Sequence, residues 1–232
     1  QQMMKNNVEI DISVINLFLD SCSTVSDFKL GITAYQQVML KNVTPNEITF
    51  GIMIKIYGFA RELQKAFDLL ELMEVYEIKP SIIIFTNLIH ISFYNKNPKK
   101  AELAFLQFKR LGGVGDRLMY SKLVEGLIKF KETGKLMKYV DMALEDKCTM
   151  KPEVITLLEE IFADEPEDMA LIQEMKNLKY VERNTYNNTD KFKNKTGSQN
   201  TLRFKAQMHE KAKELREKVE FNPEPPKQRR EG

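Results

Sequence analysis

His90 is the first residue to test for chemistry, because histidine changes charge near neutral pH and serves as acid, base or metal ligand. No acid or nucleophile recurs beside it at a spacing that would build a relay. The only other histidine, His209, lies among Lys and Glu far along the chain, where a solvated face is the plain reading. Cys22 and Cys148 stand in unrelated contexts and make no metal-ligand pattern; a reducing compartment is the simple expectation. Asp164, Glu165, Glu167 and Asp168 are dense enough in carboxylate to suggest a divalent cation, but Pro166 interrupts them and no ordered loop signature surrounds them. A helix start accounts for them better. The sequence therefore predicts a protein without catalytic residues, metal or cofactor, one that works by binding.

Binding surfaces need elements to carry them, and these follow from the spacing of turns. Thr44-Pro45-Asn46, Lys79-Pro80-Ser81 and Lys151-Pro152-Glu153 each precede an apolar run. Pro45 and Pro80 lie 35 residues apart, Gly115-Asp116 falls 35 further on, and Ile10-Asp11 lies 35 before Pro45. Pro152 follows at 37, which suggests a two-residue insertion in the fourth unit. A constant period of this size is the mark of a solenoid built from supersecondary units. Within one unit, Phe50, Met53, Ile54 and Tyr57 recur at helical spacing, then Arg61-Glu62 breaks the pattern. Ala66, Leu69, Leu70 and Met73 follow as a second helix. The next unit repeats this with Phe85, Leu88, Ile89 and Ser92, a break at Asn97-Pro98, then Ala101, Ala104, Phe105 and Phe108. Ala66 and Ala101 mark a close approach of the paired helices, with Gly31 in that place one unit earlier. Tyr139 is expected there in the fourth unit, which should splay or shift that pair. Val154, Leu157, Leu158, Ile161 and Phe162 read as a final capping helix, with Met169–Met175 packed against it. The expected fold is all-α, an α-solenoid of antiparallel helix pairs with 35-residue repeats. No apolar run approaches the ~18 residues needed to cross a bilayer, so membrane insertion is not expected.

Charge divides the chain. Residues 1–175 carry 20 Lys and Arg against 25 Asp and Glu, a net of −5, while residues 176–232 carry 15 against 8, a net of +7. The first part holds about four helix pairs plus partial and capping helices; residues 1–11 read as the tail of a preceding helix, as if the chain were incomplete. The second part is a basic, partly disordered tail. Its residues 184–201 are rich in Asn, Lys and Thr, and one charged helix is expected over residues 202–219.

The unit running from Ile48-Thr49-Phe50 through Ala66-Phe67, Leu69-Leu70 and Met73 to Ile78-Lys79-Pro80-Ser81 resembles a pentatricopeptide repeat over all 35 residues. Ile83–Arg117 is a second good match, Ser13–Glu47 a fair one and Leu118–Glu153 a weaker one, so the resemblance covers about residues 3–165. It implies a right-handed superhelix that binds single-stranded RNA, usually inside an organelle, along a surface made by the first helices. In such repeats a polar residue early in the first helix works with another at the repeat's end. Carried across, the pairs are Asn16 with Asn46, Gly51 with Ser81, Thr86 with Asp116, and Ser121 with Glu153. Thr86 with Asp116 looks like a guanine-preferring pair and Asn16 with Asn46 like a pyrimidine-preferring one. Gly51 has no side chain to reach a base, and Glu153 is an unusual negative charge.

Phe50, Phe85 and Tyr120 share one register and imitate a stacking ladder, but their spacing suits the helix–helix core better. Lys55 and His90 hold equivalent first-helix positions, with Glu125 next in line; Lys55 is a candidate backbone contact, a solvated face being the alternative. Lys191, Lys193, Lys195, Arg203 and Lys205 are the tail's candidate phosphate contacts. The half-kept code and the basic tail suggest a non-catalytic adaptor in a mitochondrial ribonucleoprotein such as the mitochondrial ribosome, touching rRNA and neighbouring proteins. The alternatives are a sequence-specific RNA maturation or stability factor, and a protein-only scaffold.

Overall fold

Asp11, Asn46, Ser81, Asp116 and Lys151 each stand immediately before a helix, and each is 35 residues from the next. The computed structural model describes residues 11–40 and 43–178 of the chain. The helices are α1 (Ile12–Thr24), α2 (Phe28–Leu40), α3 (Glu47–Phe59), α4 (Leu63–Val75), α5 (Ile82–Tyr94), α6 (Pro98–Arg110), α7 (Arg117–Lys129), α8 (Leu136–Glu145), α9 (Pro152–Ile161) and α10 (Pro166–Asn177). No strand occurs among the described residues. The charged helix expected at 202–219 and residues 184–201 lie outside the described residues, as do the first ten.

Each start has a local cause. The Asp11 carboxylate accepts from Ser13 N at 3.2 Å, Ser81 Oγ from Ile83 N at 3.3 Å and Asp116 Oδ1 from Met119 N at 2.7 Å. Asn46 and Thr49 cap one another reciprocally, Asn46 Oδ1 accepting from Thr49 N at 3.0 Å and Thr49 Oγ1 from Asn46 N at 3.1 Å. Lys151 offers no side-chain cap; there Pro152 fills the first helical position, where its missing N–H costs nothing. This corrects the proline register. Pro45 and Pro80 precede the capping residue, whereas Pro152 follows it, so the 37-residue interval is a change of place and not an insertion.

The helix ends are as regular. Ser26, Arg61, Lys96 and Lys131 close the first helices in the left-handed region, with φ of 61°, 67°, 56° and 59°. The following amide in each case reaches back five residues, as from Glu62 N to Tyr57 O at 2.9 Å and Asn97 N to Ser92 O at 2.9 Å.

First helices stack on first helices, α1 on α3 on α5 on α7, and each packs against its own second helix. The core runs unbroken along the stack. Phe50, Phe85 and Tyr120 are wholly inside it, which makes the apparent stacking ladder a packing ladder. Gly58 and Gly126 let neighbouring first helices touch: a Cβ on Gly58 would lie 2.5 Å from Ile91 Cβ, and one on Gly126 would fall within the Phe93 ring. Ala66 and Ala101, on the second helices α4 and α6, are fully buried. In the 35-residue register their fourth counterpart is Leu136, not Tyr139, which instead follows Leu69 and Ala104. The larger Leu136 coincides with a shift at that helix's start, its first turn being the tighter 3-10 coil Thr133–Lys135. Tyr139 is buried against the neighbouring second helix, its ring edge-on to Phe105 and its hydroxyl donating to Glu102 Oε1 at 2.7 Å, while α7 and α8 pack on one another less extensively than α3 and α4 or α5 and α6 do. Polar ties cross between repeats on the second-helix side. Asp146 accepts from Lys109 Nζ at 2.6 Å, Gly115 N at 2.7 Å and the Tyr120 hydroxyl at 2.7 Å.

Candidate nucleic-acid interface

On the three first helices α3, α5 and α7 one stripe stays open while the rest is largely packed. In α3 it is Ile48, Gly51, Lys55 and Phe59; in α5 it is Ile83, Asn87, His90 and Tyr94; in α7 it is Leu118, Lys122, Glu125 and Lys129. Ile48 is 63% exposed, Ile83 50% and Leu118 44%, although every neighbouring apolar side chain on these helices is buried. These three were not singled out in the sequence. The signal available was their spacing, always two residues ahead of the buried Phe50, Phe85 and Tyr120.

The polar pairs meet at the N-terminal end of this stripe, because the capping residue of one first helix lies beside the preceding first helix. Asn16 Nδ2 donates to Asn46 Oδ1 at 3.1 Å, and Thr49 Oγ1 lies 2.8 Å from Asn16 Oδ1 as its donor. Asn46 Nδ2 makes no bond among the described residues. Thr86 is 8% exposed, Asp116 caps α7 with one carboxylate oxygen, and the other oxygen and the Thr86 hydroxyl have no hydrogen bond among the described residues. Ser81 caps α5, and its N–H donates to Glu47 Oε1 at 3.1 Å; Gly51, the other member of that pair, has no side chain, and a Cβ there would lie an ordinary 3.5 Å from Ile84 Cδ1. Ser121 is 1% exposed, donates to Arg117 O at 2.6 Å and accepts from Lys151 N at 2.9 Å.

The last bond changes one assignment. The residue at the repeat's end beside Ser121 is Lys151; Glu153 sits two residues inside α9, in its exposed first turn. A cation therefore stands where the sequence had suggested an anion. Lys55 lies partly open on the stripe. Lys191, Lys193, Lys195, Arg203 and Lys205 lie outside the described residues.

His90 rests edge-on to Phe59, ring centroids 5.9 Å apart. Burial lowers its pKa below the usual 6.5, and the charges of Lys122, Lys55 and Lys129 lower it further against the opposing pull of Glu125. Glu125 is in turn bound by Lys129 at 3.0 Å. The middle of the stripe is thus cationic despite the acidic body. Glu167 and Asp168 occupy the first turn of α10, at the positive end of the helix dipole, and no group of three or more His, Cys, Asp or Glu among the described residues could hold a metal ion.

An arrangement of exposed aliphatic side chains beside paired polar groups suits a flat group with apolar faces and a polar edge. A nucleobase held between Ile48 and Ile83, or Ile83 and Leu118, would turn its edge toward a polar pair.

Comparison with known proteins agrees with this geometry. A family model for the pentatricopeptide repeat domain matches residues 68–125. A pentatricopeptide repeat-containing protein of Arabidopsis thaliana is 26% identical over 128 residues, 55% of this chain and 26% of the relative. A mitochondrial one from the same plant is 29% identical over 115 residues, covering 50% and 27%, and a chloroplastic one is 30% identical over 82 residues, covering 35% and 9%. Among solved structures, the pentatricopeptide domain of Arabidopsis thaliana protein-only RNase P 1, determined with tRNA, aligns at a TM-score of 0.58 and 16% identity over 87% of this chain and 98% of that one. The maize protein PPR10 aligns at 0.62 and 13% identity, over 75% and 27%. The structural likeness is one of fold and agrees with the expected right-handed solenoid. The chain is thus similar to pentatricopeptide repeat proteins, in sequence most clearly over residues 68–125 and in fold along the helical array. It spans about a quarter of the length of the first two relatives.

Proposed function

We propose that this chain binds single-stranded RNA along the stripe of first helices and acts, without catalysis, as a sequence-reading segment of an organellar RNA maturation or stability factor. The observation that carries this reading is the 35-residue recurrence of an exposed aliphatic side chain (Ile48, Ile83, Leu118) beside a polar pair at the junction of successive first helices. A surface built only to pack on protein has no need to repeat that combination in register. Lys151 at the fourth junction further favours RNA, since it removes the negative charge that had counted against the code. Two of the similar proteins, one mitochondrial and one chloroplastic, support an organellar site of action. The tail cations Lys191, Lys193, Lys195, Arg203 and Lys205 add sequence-independent phosphate contacts.

Membership of a mitochondrial ribosomal assembly is the second reading, favoured by the net −5 of residues 1–175, a poor charge for gripping RNA without help. The two readings separate in one experiment. RNA crosslinked to the chain in organelles is sequenced, and Thr86→Ala with Asp116→Ala is compared with the wild type on that RNA. The expected result is a defined single-stranded transcript segment and lost discrimination at one base, with little change in salt dependence. Recovery of rRNA alone, with the double variant indistinguishable from wild type, would transfer the case to the ribosomal scaffold.

A further inference from the structure

The turns that close the first helices are chemically unusual. A residue in the left-handed region at a helix C-terminus is most often glycine, because any side chain there is strained. Three of the four such turns carry a long cation instead: Arg61, Lys96 and Lys131, all exposed, with φ of 67°, 56° and 59°. They succeed one another every 35 residues, so the stack presents one per repeat along one edge.

Attraction to the negative end of the helix dipole is the local alternative. The second-helix ends weigh against it as the rule governing these turns. There the same left-handed position holds Glu77, Gly112 and Lys147, one anion, one neutral residue and one cation. Two of the three cations at the first-helix ends, Lys96 and Lys131, are also available, and Arg61 keeps part of its guanidinium donor set. Glu62 and Glu132, the adjacent acids, are ion-paired to Lys65 and Lys135. The ammonium groups of Lys96 and Lys131 have no partner among the described residues, while Arg61 lies 4.1 Å over the Tyr94 ring and donates to Tyr94 O at 2.5 Å.

Position supplies the rest. Thr86 and Lys96 are ten residues apart, about 15 Å along the helix axis at 1.5 Å per residue. The four-carbon lysine stem covers part of that span, leaving a gap suited to a nucleotide whose base edge meets Thr86 and whose phosphate lies toward the turn. Between them lie Lys55, His90 and the paired Glu125–Lys129, so no unpaired carboxylate of α3, α5 or α7 stands on this stretch of the stripe.

We propose that Arg61, Lys96 and Lys131 form a phosphate ladder, one cation per repeat, that holds the backbone of single-stranded RNA while the opposite end of the stripe meets its bases. This rests on the RNA-binding reading above.

The test is the full chain with Lys96→Gly and Lys131→Gly together. Glycine suits the left-handed turn, so the variant should melt at or above the wild-type temperature. Affinity for a fluorescent single-stranded RNA of about 20 random nucleotides is measured across a potassium chloride series. Each lost phosphate contact should flatten log K against log salt by about 0.7, or about 1.4 for the pair. Lys29→Gln with Lys138→Gln, the same charge change on second helices, should leave the slope alone. An unchanged slope in the glycine variant, or an equal fall in the control, would overturn the ladder while leaving RNA binding intact. Failure of the wild type to bind this RNA at all would overturn both. If the glycine variant melts lower, Lys96→Gln with Lys131→Gln reads the same slope with a side chain kept at each turn.

Discussion

Gly51 is where the repeat lacks a base-facing side chain, and the structure allows one to be restored. A Cβ built there meets only Ile84 Cδ1, at an ordinary 3.5 Å, in contrast to Gly58 and Gly126, where it would collide with the next helix. Gly51 lies within α3, so Gly51→Asn also exchanges a poor helix former for a somewhat better one, a gain of about 0.3 kcal/mol. On melting that is a rise of about 1 °C for a chain of this size. The larger effect is in binding. One new hydrogen bond to a base edge contributes a net of about 0.5–1.5 kcal/mol, which at ~0.59 kcal/mol per RT is roughly 2- to 12-fold in affinity. The assay uses four RNAs that differ only at the nucleotide opposite the Gly51–Ser81 junction, together with a melting curve. Wild type should treat the four nearly alike; the variant should favour one of them with no change in salt slope. A fall in melting temperature of several degrees would refute the packing argument. Unchanged discrimination with RNA still bound would show that the stripe does not face bases at this register.

Two further outcomes are expected. Ala66→Leu, at a fully buried position on α4, should overpack the core and cost about 1–3 kcal/mol, seen as a lower melting temperature; an unaltered melt would mean the packing is not tight there. His90 should titrate below 6.5 by NMR, and because the unfolded chain takes up the proton first, stability should fall as pH drops through the window beneath 6.5 and be regained above it. Lys55→Gln or Lys122→Gln should move that midpoint upward and Glu125→Gln downward; a wild-type midpoint at or above 6.5 would contradict the burial and charges assigned to it.

The helix pairs were legible because burial writes itself into spacing. Phe50, Phe85 and Tyr120 had to be core once their 35-residue interval was combined with helical periodicity, and they are. The errors arose where a marker residue has more than one permitted place. Proline is tolerated both just before a capping residue and just after it, so Pro152 could not stand for Pro80, and the false insertion carried Glu153 into the place of Lys151. A separate slip of three residues, inside the fourth unit, gave Tyr139 the place of Leu136. Asp11, Asn46, Ser81 and Asp116 were the truer markers, since a capping side chain is fixed in position by the amide it must satisfy. The exposed Ile48, Ile83 and Leu118 escaped for a different reason. An apolar residue in a helix reads as core until burial is seen, and only the contrast with packed neighbours one turn away reveals it.

Because each repeat begins at its cap and the caps recur without drift, the chain can be treated as cassettes of 35 residues joined at positions 46, 81 and 116. Duplicating residues 81–115 in place would return every later cap to the same phase and lengthen the array by one reader. Adding 34 or 36 would leave one helix or turn of the inserted unit a residue short or long, and within a helix that rotates the part beyond it by about 100° as far as the next turn. Growth by whole units is thus a change of size that adds a reader and leaves every cap and stripe of the array in phase.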